Sequence, residues 1–93
     1  MKHESALRGL ARRAFDNGKL PRTYPSRMWG GDAAGDVCAL CALPIVAPDH
    51  EYELQYDSQN HLQPGGQSYH LHLRCLTIWE MERRGRRLGR QAP

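Results

Sequence analysis

Apolar residues open the chain with a helical period. Ala6, Leu7, Leu10, Ala11, Ala14 and Phe15 fall on one stripe, while Arg8, Arg12 and Arg13 lie off it. This pattern predicts an amphipathic N-terminal helix within residues 1–17. Ser5 is its expected N-cap, and Asn17-Gly18 its expected stop, because glycine tolerates the left-handed backbone that ends helices. Gly9 inside the stretch costs about 1 kcal/mol relative to Ala, so a helix this short depends on burying its stripe. Residues 18–36, "GKLPRTYPSRMWGGDAAGD", contain two Pro and four Gly and show no period, which predicts an irregular connection. Tyr24 and Trp29 are expected to dock it partly on the core and to offer contacts to a partner.

A period of two follows. Tyr52, Leu54 and Tyr56 alternate with Glu51, Glu53 and Gln55. Further on, Tyr69, Leu71 and Leu73 alternate with His70 and His72. The two runs predict an antiparallel hairpin closed over a loop that contains Pro64-Gly65-Gly66, with Glu51 and Glu53 on a solvated face. From about His72 the period becomes helical again. Cys75, Leu76, Trp79 and Arg83 share one face, Ile78 and Met81 lie beside it, and Gly85 is the expected end. Trp79 reads as core. Residues 85–93 read as a basic tail.

Composition changes this picture in one respect. The chain has 93 residues, is 40% apolar and has a single Phe, so one small core is only marginally sufficient and a cross-link would matter. No apolar run approaches the roughly 20 residues of a membrane helix, and the Arg-rich start lacks the apolar block of a secretory signal, so a cytoplasmic setting is expected. Three cysteines cannot all pair within one chain, and a reducing compartment keeps them as thiols.

Charge is segregated along the sequence. Residues 1–36 hold seven Lys/Arg against four Asp/Glu, residues 37–71 none against four, and residues 72–93 six against two. Electrostatic partners would meet the two ends rather than the middle.

The candidate chemistry is the set Cys38-x2-Cys41-x30-His72-x2-Cys75. Zinc favours thiolate and imidazole in a tetrahedron, and Cys3His is a closed structural set for Zn2+. Two residues between Cys38 and Cys41 allow a tight turn to aim both sulfurs at one point. His72 and Cys75 are three apart, so they share a face on the first helical turn, where the helix dipole favours thiolate at Cys75. The same spacing favours His72 over His70, which is left to hydrogen-bond behind the ligands or to serve as the alternative ligand. His3, His50 and His61 read as solvated. Four strong ligands leave no open position for a reacting water, and no nucleotide-binding or triad motif is present, so no enzymatic activity is expected. The competing use of a CxxC pair is thiol redox chemistry through Cys38 and Cys41.

This spacing, with Ile45 four residues after Cys41 and the aromatic-rich "YHLHLRCLTIW" around the last ligands, resembles the zinc fingers of poly(ADP-ribose) polymerases over residues 37–84. The chain is also similar to small bacterial zinc-finger-like proteins of unassigned function that carry a "PSRMWGG"-like segment before the knuckle. The resemblance implies an α+β, zinc-stabilised treble clef (knuckle, hairpin, closing helix), here with an added N-terminal helix, and Cys38, Cys41, His72 and Cys75 as metal ligands. It also implies DNA recognition through basic residues. The hairpin departs from that, having no Lys or Arg and four acidic groups. Two functional expectations follow: a non-enzymatic module that binds a protein partner, or a nucleic-acid binder that uses Arg83, Arg84, Arg86, Arg87 and Arg90.

Overall fold

The computed structural model describes residues 3–57 and 66–89, with backbone only at 86–89. Helix α1 spans Glu4–Asp16. Three strands follow, β1 Arg27–Asp32, β2 His50–Tyr56 and β3 Gln67–His72, and helix α2 Leu73–Gly89 closes the chain. The strands form an antiparallel sheet in the order β1-β2-β3. The architecture is a small α+β fold, and no helix among the described residues is long and apolar enough to cross a membrane.

The predicted stripe of α1 is its buried side: Leu7, Ala11, Ala14 and Phe15 are in the core and Leu10 packs against it. Ala6 stays exposed. The helix starts earlier than expected. His3, not Ser5, is the N-cap, and it makes no side-chain capping bond. Glu4 then sits in the first turn, where the positive helix end favours a carboxylate. At the other end Gly18 adopts φ +77°, and Leu20 N–H turns back to Ala14 O at 3.1 Å. That return buries Leu20.

The expectation of an irregular 18–36 is corrected by β1. Its sequence, Arg-Met-Trp-Gly-Gly-Asp, hides a strand because the two glycines erase alternation, and tertiary contacts supply what local propensity lacks. Gly30 pairs with Tyr52, and a Cβ at Gly30 would lie 2.9 Å from the Tyr52 ring, so the ring packs directly on bare backbone. Arg27 reaches Asp57 at 2.9 Å, and Tyr56 donates its hydroxyl to Thr23 O at 2.7 Å. Docking of Tyr24 and Trp29 is slight, since both remain more than half exposed.

Leu54 and Leu71 are fully buried on the sheet face turned to α2. Leu73 does not join them. The helix begins at that residue, the period changes, and Leu73 is exposed. Along α2, Cys75, Ile78 and Trp79 are buried, and Trp79 Nε1–H donates to Pro21 O at 3.0 Å, pinning the α1–β1 connection. Met81 lies at the exposed margin. Gly85 does not end α2, which continues to the next glycine, Gly89. An Arg-Arg-Leu stretch between them favours helix enough to offset one internal glycine.

The two helices are joined by Glu82. Its buried carboxylate accepts from Arg8 Nε at 2.9 Å and Arg12 Nε at 2.8 Å. Replacing both arginines (Arg8→Ala with Arg12→Ala) should destabilise the fold by about 2–4 kcal/mol, because an unpaired carboxylate would stay buried. Adding Glu82→Leu should recover most of that loss, and urea-denaturation midpoints measure both steps. In β1, Gly30→Val should unfold at lower urea than Gly31→Val, by about 1–2 kcal/mol, since only the former collides with a ring.

Candidate metal centre

The stretch 35–46 forms a knuckle tied by its own backbone. Cys38 N–H donates to Leu43 O at 2.8 Å, Ala42 N–H to Cys38 O at 2.9 Å, and Ile45 N–H to Asp36 O at 2.8 Å. Ala42 takes φ +66°, which lets the chain reverse within one residue of Cys41. The knuckle is fixed to the sheet where Ala39 N–H donates to His70 O at 2.8 Å, and Ile45 anchors it in the core. The other half of the site is the junction of β3 and α2: His72 ends the strand, and Cys75 lies on the first helical turn.

Together they place Cys38, Cys41, His72 and Cys75 in one buried cluster, with all four donor atoms within 4.8 Å of one another. His72 Nδ1 is 3.4 Å from Cys41 Sγ and 4.0 Å from Cys75 Sγ. A zinc–thiolate–imidazole tetrahedron has edges of roughly 3.5–3.8 Å given its bond lengths, so the donors are already near coordination distance. The imidazole is oriented for the task. Its Nε2 lies 3.3 Å from Pro44 O, so Nε2–H donates there and the Nδ1 lone pair faces the sulfurs. These four residues can hold a metal ion.

The thiols do not share their protons equally. A hydrogen bond from Cys75, aided by the N–H groups of Cys41, His72 and Leu40 and opposed by burial, lowers Cys38 to about 4. The same hydrogen bond to Cys38, with burial and the neighbouring sulfurs, pushes Cys75 far up. Burial raises Cys41. Cys38 and Cys75 are in contact and titrate as a pair, so their protons come off in turn rather than together. Three crowded sulfurs can all ionise only beside a multiply charged cation.

His70 is not a member of this set. Its Nδ1 lies 2.6 Å from Glu51 Oε2 and 3.6 Å from Asp36 Oδ2. Its carbonyl braces the knuckle, and its ring binds the segment before it to the sheet. Glu51 corrects the expectation of a solvated face. It is buried and also accepts from Ala34 N–H at 3.1 Å, while Glu53 is half-buried. A hydrogen bond between the two carboxyls raises Asp36 and lowers Glu51. Only the shared parity of Glu51 with His70 and His72 in the hairpin hinted at this role.

Of the arginines expected to contact nucleic acid, Arg83 is engaged within the fold. Arg83 lies over the rings of Tyr24 and Trp79, 5.2 and 5.5 Å from their centroids, and reaches Glu80 at 2.6 Å. Arg84 is exposed. The side chains of Arg86 and Arg87, and all of Arg90 and His61, lie outside the described residues. Comparison of the chain with protein-family models, with curated proteins and with solved structures finds no match.

The geometry separates the two histidines experimentally. His72→Ala should abolish stoichiometric Co2+ binding, seen as loss of the thiolate charge-transfer and d–d absorption. His70→Ala should keep one Co2+ per chain. Equal loss in both variants would reassign the fourth ligand.

Proposed function

We propose that the protein is a non-enzymatic interaction module stabilised by one Zn2+, with Cys38, Cys41 and Cys75 Sγ and His72 Nδ1 as its ligands. The observation that carries this reading is the buried Cys3His set with its imidazole lone pair turned inward. Thiolate and imidazole suit zinc, and four protein ligands close the coordination sphere, so the ion is structural and not a centre of reaction. Two ligands from a knuckle and two from the end of a hairpin and the helix after it form a treble clef, the arrangement of the poly(ADP-ribose) polymerase fingers. The ion contributes on the order of 10 kcal/mol to folding at neutral pH, comparable to the whole stability of a domain this size.

The module acts by presenting surface to a protein. Arg8, Arg12 and Arg83 are occupied by Glu82 and Glu80 within the fold, which leaves the nucleic-acid reading less charge to work with. Native mass spectrometry should find one zinc per chain. Chelation should remove it and collapse the circular dichroism signal, and added zinc should restore both. A chain that stays folded without metal and cycles Cys38 and Cys41 between dithiol and disulfide would instead be a thiol oxidoreductase.

A further inference from the structure

Strand β1 forms one edge of the sheet, and all six of its residues are exposed. Among the described residues no segment pairs with its outer side, so a row of backbone N–H and C=O groups is available. Folded proteins usually protect such an edge with proline, lysine or a bulge. Here its centre is Trp-Gly-Gly. In register, Trp29 stands opposite Glu53 and Gly31 opposite Glu51. With Asp32 and Gly30 they line a shallow cleft of about 180 Å³. Gly31 leaves its floor open, for a Cβ built there would meet nothing within 4 Å. The indole is 54% exposed beside these carboxylates.

The charge of this region is only partly balanced: Arg27, just before it, pairs with Asp57. Residues 28–73 contain six Asp/Glu and no Lys or Arg. His70 faces Asp36 and Glu51, but neither Asp32 nor Glu53 has an ion-pair partner among the described residues. An aromatic face next to carboxylates is a receptor for an ammonium or guanidinium group, which gains cation–π attraction and charge-assisted hydrogen bonds together.

From these observations we infer that β1 and the Trp29 cleft receive an extended segment of a partner protein carrying Lys or Arg at alternate positions. The segment adds as a fourth strand, and one cationic side chain enters between Trp29 and Glu53, with Glu51 behind them in the wall of the cleft. This rests on the reading of the protein as an interaction module and names its partner's chemistry. A second copy is the wrong occupant: antiparallel pairing of β1 with itself over Arg27–Asp32 sets Gly30 and Met28 opposite Trp29 and Gly31, and the strand's one cation, Arg27, is already held by Asp57. Nucleic acid is repelled by the carboxylates of this face.

The test uses the full-length, zinc-loaded chain and a labelled heptapeptide alternating Arg and Val. Binding should shift the fluorescence of the exposed Trp29, a response lost in Trp29→Phe. Glu53→Gln should weaken binding about tenfold. Gly31→Val should do the same while remaining folded, because it fills the cleft without touching the fold. A peptide of the same charge, N-methylated at alternate amides, should lose binding because it cannot form the ladder. Equal affinity of the methylated peptide or of the Gly31→Val variant, self-association through β1, or failure to bind would each overturn the inference. Zinc stoichiometry read on the same sample keeps the two readings apart: one zinc without peptide binding rejects only the docking site, and peptide binding without zinc rejects only the metal module.

Discussion

The His72 ring joins the two halves of the molecule. Its Nε2–H is held by Pro44 O, at the end of the knuckle, while its backbone is the last link of β3 before α2 begins. A single side chain therefore fixes three elements relative to one another, and it does so through a bond that also sets which nitrogen faces the sulfurs. The knuckle is prepared from its own side by Ala39 N–H on His70 O and by the pairing of Val37 with Pro44. Ligand orientation comes from hydrogen bonds behind the ligands, so in the folded chain the four donors are aimed at one point by the protein's own contacts.

The parts legible in the sequence were those whose signal is local or strictly periodic. The stripe of α1, the alternation of β2 and β3, and the four-residue ligand spacing each reflect one element's geometry, and the spacing alone identified which side chains could meet. What stayed hidden depends on contacts between elements. Strand β1 exists because Tyr52 packs on Gly30 and Asp57 holds Arg27, and neither fact is visible in "RMWGG". Glu51 looked like the outer member of an amphipathic strand until the segment before the knuckle covered it. Glu82 reads as one more charge on a polar helix, yet it is the buried acceptor for two arginines seventy or more residues away. The Asn17-Gly18 stop of α1 stands where the sequence puts it, whereas the start of α1 and the end of α2 moved, because caps are weak preferences, easily shifted when packing pulls a turn in or extends one.

Folding also sorts the charge that the sequence merely segregates. The arginines of α1 converge on Glu82, and Arg83 is absorbed by Glu80 and two aromatic rings, so the helical side neutralises much of its excess internally. Against the carboxylates of the acidic segment the fold sets the imidazole of His70 and, at Asp57, Arg27. The sheet side thus keeps its negative field although the chain as a whole is basic. The net charge of the chain therefore does not describe the field at the sheet.

Layering explains why that surface is open. Helix α2 packs on the Leu54/Leu71 face of the sheet and α1 packs on α2 rather than on the strands, and among the described residues no helix lies on the other face. An antiparallel sheet can leave one face in water if that face is polar, which Glu53, Gln55 and Ser68 satisfy. Trp29 does not satisfy it. An indole on the solvent side of an edge strand adds no core burial, and the adjacent glycines weaken the strand that carries it. Two features that each lower the stability of β1, set beside carboxylates without cations, make structural sense if the fourth strand is contributed from outside. A metal bound there would have a second consequence: by holding the knuckle against β3 it would keep the acidic face rigid, so that an incoming segment would meet a surface with little ordering left to do.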